Sequence, residues 1–241
     1  RRGKADFSEE ATGLRQLEIY NAVFRMERNR RDGTRDGVLI CGAYGFGNTG
    51  DDAILQAIIG EMRRIDAHMP VTVLSRRPKD TQRAFGVNAC HRFGVFAIRR
   101  VMRRSQLFIS GGGSLMQDVT SRLSLWYYLS TIRMAHGCGC KVQMYGCGIG
   151  PIVYARDKKL AAHVINTCVD KITLREPDSR ETLREFGVTG PEVILASDPA
   201  LTLPAAEHSR IDSILRAHDM DIGGKYIGFV LRKWPGIEEK A

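Results

Sequence analysis

The sequence predicts an α/β fold built on a doubly wound parallel sheet. Three observations carry that expectation. Short apolar runs recur from Val38 to Ala196, stretches of helical spacing separate them, and glycine-rich turns follow three of the runs. Strands covered on both faces read as continuous apolar runs, and their alternation with helices is the pattern of parallel crossovers.

Residues 1–37 are polar and rich in arginine. LRQLEIYNAVFRMERNRR has helical spacing, but Asp32, Gly33, Asp36 and Gly37 break it, so this part reads as an extension outside the main fold. VLICG (38–42) is the first strand. The helix after it carries Ile54, Ile58, Met62 and Ile65 on one side. VTVL (71–74), QLFIS (106–110), KVQMYG (141–146), KITL (171–174) and EVILA (192–196) are the further strands. Among the helices, one places Leu123, Tyr127, Ser130 and Met134 on one line, and DKKLAAHVINTCV and PDSRETLREF form two more. Pro177 suits a first turn and Gly187 a helix end. After Leu203 come a helix, HSRIDSILRAHDM, and a fresh strand, Lys225–Leu231. The expected domains are therefore an extension (1–37), a Rossmann-like domain (38–204), and a linker helix with the first strand of a second, truncated domain (205–241).

A hydrophobic share of 43% in 241 residues is enough for a buried core. No stretch approaches the ~20 apolar residues of a membrane span, and the charged N-terminus lacks the apolar region of a signal peptide. Six cysteines in mostly apolar contexts suit reduced thiols in a cytoplasmic protein. His136, Cys138, Cys140 and Cys147 could be drawn as a metal cluster. Their C-x-C spacing is not that of a zinc knuckle, and Gly137 and Gly139 suggest a helix-ending turn, so no metal is expected. The net charge is +9, and Glu61–Arg104 alone holds eleven Lys/Arg against three Asp/Glu. AIRRVMRR sets Arg99, Arg100, Arg103 and Arg104 along one side of a helix, either as a solvated face or as a contact for an anionic surface. No stacking aromatics are interleaved with these arginines, which disfavours nucleic acid. Peripheral contact with the inner face of an anionic membrane is the sharper expectation.

All three glycine-rich turns follow strands, so a parallel sheet brings them to one edge, where ligands bind. The first, with Gly45, Gly47 and Gly50, reads as G-x-G-x-x-G. A dinucleotide site is disfavoured there, because Asp51 and Asp52 stand where pyrophosphate would lie. Ser75, Arg76 and Arg77 could hold a 2′-phosphate, yet no acid ends the second strand to take a ribose. The candidate ligand contacts at this edge are Gly47, Asn48, Thr49, Gly50 and Asp51 after the first strand. Gly111, Gly112, Gly113, Ser114, Gln117, Asp118 and Ser121 follow the third, and Arg175 with Glu176 and Asp198 follow later ones. Against a ligand role stand helix capping for the aspartates, a surface ion pair for Arg175, and tight turns for the glycines.

YGFGNTGDDAIL, TVLSRRPKDT, FISGGGSLMQDVTSRLSLWYYL, YGCGIGP, ITLREPDS and LASDPALTL occur in that order. Together they resemble the polysaccharide pyruvyl transferase family, in its bacterial cell-wall polymer branch, over residues 38–204 and on to YIGFVLRKW. The resemblance implies two Rossmann-like domains of the GT-B arrangement. It implies transfer of pyruvyl from phosphoenolpyruvate to a sugar, giving a cyclic ketal and phosphate, with no further cofactor. On this sequence it implies Asp51 as the acceptor-hydroxyl ligand or base. Asn48, Gln117, Asp118 and Ser121 become acceptor contacts, with Arg175 and Arg232 as anion partners. Glu176 stands where the family usually has Asp, and Asp52 where Glu is more usual; both keep the charge. A second domain with an Arg-His donor site is also implied, so this chain is expected to hold the acceptor side and only the opening of the donor side. The partners implied are phosphoenolpyruvate and a sugar or lipid-linked polysaccharide acceptor. A nucleotide-sugar glycosyltransferase of the same architecture and a non-catalytic binding module remain alternatives.

Overall fold

A computed structural model describes residues 35–229. The described residues divide after Leu203 into two units, of which the first carries the sheet. Seven strands lie in the order β3-β2-β1-β4-β5-β6-β7, every neighbouring pair parallel. They are β1 (Gly37–Cys41), β2 (Val71–Ser75), β3 (Asn88–His91), β4 (Ser105–Met116), β5 (Lys141–Ile149), β6 (Lys171–Leu174) and β7 (Glu192–Leu195). The helices of this unit are α1 (Thr49–Ile65), α2 (Pro78–Phe85), α3 (Val95–Met102), α4 (Arg122–Gly137), α5 (Ala155–Cys168) and α6 (Asp178–Glu185). A 3₁₀ turn, Pro199–Thr202, follows β7.

Period-two alternation sends neighbouring residues of each strand to opposite faces. Val38, Ile40, Val71, Val73, Leu107 and Ile109 meet Ile54, Leu55, Ile58 and Met62 of α1. Leu39, Phe108, Val142, Met144 and Ile172 take the other face, with Ile98 of α3, Leu125 and Ile132 of α4, Ile165 of α5 and Leu183 of α6. Leu55, Ile58 and Met62 are wholly buried, and each such side chain contributes roughly 1.5–3 kcal/mol. The chain leaves β1 for β2 on one side and returns to β4 on the other. The strand order thus reverses between β1 and β4, and a crevice opens at such a point beyond the strand ends.

Several expectations are corrected. The edge strand β3, with the sequence NACH, has no apolar run, because an edge strand is covered incompletely; Asn88 and His91 are exposed. Of the three glycine turns, two are strand. β4 continues through Gly111, Gly112 and Gly113 to Met116, and β5 through Gly148 to Ile149, the two pairing as far as Met116 with Ile149. The buried side of α4 is Leu125, Tyr128, Leu129, Ile132 and Ala135. The line Leu123, Tyr127, Ser130, Met134 lies beside it, with Leu123 and Ser130 exposed. Helix α3 ends at Met102, so Arg103 and Arg104 lie past the helix.

In the second unit α7 spans His208–Ala217. Residues 225–229, expected as a strand, form none, since no described strand takes up their backbone groups. Residues 230–231 of that expectation, the helix suggested within 1–37, and Arg232 lie outside the described residues. Among the described residues no helix is long and apolar enough to cross a membrane.

Candidate functional site

The loop from β1 enters α1 through Asn48, whose extended backbone (φ −95°, ψ 111°) is that of an N-cap. Its Oδ1 accepts from the Gly50 amide at 3.1 Å, while its Nδ2 donates to Asp51 Oδ2 at 2.6 Å. The Asp51 carboxylate is therefore held in one rotamer at the positive end of a helix. It is half-buried, and its outer oxygen looks toward β4: a Cβ on Gly113 would lie 3.4 Å from Asp51 Oδ1. Burial lifts the Asp51 carboxyl above the usual carboxylate range. The Asp52 charge adds to this, while the Asn48 hydrogen bond and the Arg175 charge pull the other way. A carboxylate raised in this way is a stronger base than a free one, the property a proton acceptor needs.

Two of the three consecutive glycines have a packing reason. At Gly112, with φ +53°, a Cβ would lie 2.1 Å from Ile54 Cγ2, and at Gly111 it would lie 2.7 Å from Ile58 Cδ1. They let α1 lie against β4, and Tyr44 Oη donates to the Gly111 carbonyl at 3.2 Å on the same face. Gly113 is the one beside Asp51.

Across from Asp51 the Arg175 guanidinium joins three strand ends. Its Nη1 pairs with Asp198 Oδ2 at 3.0 Å, and its Nη2 donates to Ser114 Oγ at 3.1 Å. Asp198 is itself fixed, its Oδ1 capping the 3₁₀ turn through the Ala200 amide at 3.0 Å. Gly148 lies beneath this group. A Cβ there would come 2.6 Å from Glu176 Oε1, 3.1 Å from Ser114 Oγ and 3.2 Å from Arg175 Nε. Glu176 Oε1 accepts from Ser179 Oγ at 3.0 Å, and that hydroxyl accepts from the Ile149 amide at 2.8 Å. A carboxyl, a hydroxyl and a guanidinium thus lie along one edge of the sheet, the carboxyl held by Asn48 and the guanidinium by Asp198 and Ser114.

Asn48, Asp51, Gly113, Ser114 and Arg175 come together as the sequence suggested, with Thr49 and Gly50 opening α1 beside them. Gly47, at φ +77°, belongs to the exposed turn before Asn48. Three other candidates have polar groups engaged in local structure. Gln117 exchanges hydrogen bonds with Thr120, and Ser121 Oγ caps α4 at the Ser124 amide. Buried Asp118 accepts from the Val153 and Tyr154 amides at 2.8 and 3.1 Å, fixing the segment after β5. Next to it Arg122 grips Asp157 through two nitrogens, at 2.7 and 3.2 Å, and holds that carboxyl below its usual range. Gly148 was missed by sequence reasoning, since a glycine inside a strand is silent about what crowds it. Cys140 and Cys147, drawn above with a metal, point their thiols to carbonyls of different elements: Met102 and Ser105, and Thr173.

The family model for polysaccharide pyruvyl transferases matches residues 48–239, starting at the cap of α1 and including every residue of the cluster just described. The chain belongs to the polysaccharide pyruvyl transferase family. It is accordingly a transferase, and its sheet is the Rossmann-like fold expected of the sequence. No curated protein matches the chain. In this pyruvyl transferase the strand-order reversal carries Asn48 and Asp51 on one side and Ser114 on the other. β6 and β7 add Arg175 and Asp198 from the same edge.

Proposed function

We propose that the chain serves transfer of pyruvyl from phosphoenolpyruvate to a diol of a cell-wall or surface polysaccharide sugar. Asp51 contacts the acceptor. The observation that carries this reading is the half-buried, raised Asp51 carboxyl, fixed by Asn48 and open toward Gly113. Two acceptor hydroxyls add to C2 of the donor, C3 takes a proton to become methyl, and phosphate leaves from C2. One hydroxyl proton balances C3 and the other the phosphate. Asp51 accepts a hydroxyl proton as its oxygen attacks. Arg175, oriented by Asp198 and Ser114, faces the donor's anionic groups; a guanidinium matches both carboxylate and phosphate. Arg232 is a second such cation in this reading.

Asp51→Asn tests it. The expected outcome is a ~10²–10⁴-fold loss of acceptor-dependent phosphate release from phosphoenolpyruvate, with the circular dichroism spectrum unchanged. An unaltered rate removes Asp51 from the reaction. Release of nucleotide from a sugar nucleotide instead would establish the glycosyltransferase alternative.

The same reading places the protein in the cytoplasm, working on a lipid-linked acceptor at the inner face of the membrane. Support comes from Arg99, Arg100, Arg103 and Arg104, all exposed, beside Phe96, which is 92% exposed. Such a patch offers charge to anionic headgroups and a ring to the interface. Vesicles containing phosphatidylglycerol should bind the protein at low salt and release it at high salt. Binding that ignores both salt and replacement of the four arginines by Gln refutes this docking.

A further inference from the structure

Beside the loop that leads into α1, on the same edge, lies a cleft of about 570 Å³ lined chiefly by Phe46, Arg76, His91, Arg92, Phe93 and Tyr127. Two strand ends build it. Arg76 follows β2, while His91 closes β3 with Arg92 and Phe93 after it. Arg92 is only 8% exposed, and its Nε has no hydrogen-bond partner. Its guanidinium carbon lies 4.2 Å from the centroid of the Tyr127 ring and 5.2 Å from those of Phe46 and Phe93. The Arg76 guanidinium also sits 5.2 Å from the Phe46 ring.

No carboxylate lines the cleft, and among the described residues neither Arg76 nor Arg92 forms an ion pair. Ring quadrupoles attract a cation but give no acceptor for its N–H groups. The Tyr128 hydroxyl hydrogen-bonds Arg92 without supplying a charge, and Nε stays without a partner. A buried guanidinium with an unused N–H is costly unless an anion supplies the missing acceptor. Two guanidinium groups lining one cleft suit the several oxygens of a phosphoryl group, which arginine binds through paired N–H donors. Phe93 is 65% exposed and packs edge-on to Tyr127 at 5.5 Å, so it presents an open aromatic wall to whatever the phosphoryl group carries.

We propose that this cleft binds a sugar phosphate, its phosphoryl group between Arg76 and Arg92 and its sugar ring against Phe93. Resting on the function proposed above, the ligand would be the charged linkage of the acceptor, one unit removed from the sugar that meets Asp51. Phe46 lies in the loop that leads into α1, five residues before Asp51 in the first turn of that helix.

The test is calorimetric titration of the protein with glucose 1-phosphate, and separately with inorganic phosphate and methyl glucoside. Glucose 1-phosphate should bind at least tenfold more tightly than either component, and Arg76→Gln, at an exposed position, should weaken it about tenfold. Arg92→Lys, checked for folding by its melting curve, should weaken it as well; if that variant does not fold, Arg76→Gln decides. Glucose 1-phosphate binding no more tightly than inorganic phosphate, or unaffected by Arg76→Gln, overturns the site. These titrations contain no phosphoenolpyruvate. Lost binding with intact pyruvyl transfer therefore sinks the cleft alone, and intact binding without transfer sinks the function alone.

Discussion

At the ends of β4, β6 and β7 the Arg175 guanidinium is answered by Asp198 and by the Ser114 hydroxyl, whereas at the ends of β2 and β3 Arg76 and Arg92 face rings, the Tyr128 hydroxyl and an open cleft, with no carboxylate. Both groups sit on one edge of one sheet. The first is internally balanced, each polar group held by a second one behind it, which fixes geometry at some cost in free charge. The second keeps its charge unspent. Fixed geometry is what lowers a reaction barrier, while unspent charge with aromatic walls is what holds a ligand. The difference assigns chemistry to the first region and recognition to the second.

After Asp51→Asn, the next largest effect breaks the first region without touching its charges. Gly148→Ala places a methyl 2.6 Å from Glu176 Oε1 and 3.2 Å from Arg175 Nε. Glu176 must move aside, and Ser114 and Arg175 must each give by a few tenths of an ångström. Since about 1 Å in a reacting group costs ~10²-fold in rate, the loss should lie between about tenfold and that bound. The loss should appear in kcat, with glucose 1-phosphate binding at the cleft retained. A loss confined to KM would mean that Arg175 recognises ligand rather than orienting a reacting group. Next in size is the tenfold weakening expected for Arg76→Gln, whose cost should fall on KM for a phosphorylated acceptor. If that variant lost kcat as severely as Gly148→Ala, the two regions would be one site and the comparison would fail.

Much of the first region was legible in the sequence, and little of the second. The strand–helix alternation placed Asp51, Ser114, Arg175 and Asp198 on one edge, because in a parallel sheet every residue just past a strand lies there. What was not legible was how the glycines divide their work. Gly111 and Gly112 admit α1, Gly113 faces Asp51, and Gly148 makes room for Arg175, a distinction set by long-range packing. The cleft stayed hidden because β3 is an edge strand of mixed polarity, and no motif singles out Arg92. Its burial depends on Tyr127 and Tyr128, 35 and 36 residues further on, and no local pattern joins them. Asp118 shows the opposite case. Its place in a conspicuous motif pointed to a ligand, and the structure gives its carboxylate two backbone amides to hold.

The smallest effect tests whether the first region carries the strain that its balance implies. The Asp51 carboxyl is raised chiefly by burial, so its ionised form destabilises the folded state relative to the unfolded chain. A raised folded value means that the group's contribution is fully present below the unfolded value of about 3.9 and is lost as pH rises through the folded value. Asp51→Asn removes the ionisation while keeping an oxygen to accept from Asn48. The variant should melt with the native protein in acid and gain on it through the weakly acidic range. The gain should level off once the native carboxyl is fully ionised. Melting curves at a series of pH values read this directly. A variant that instead melted lower at neutral pH would show that the Asn48 bond, the Arg175 charge and the helix terminus outweigh burial. The carboxylate would then be a settled cap for α1, and the general base would have to be sought elsewhere on the same edge.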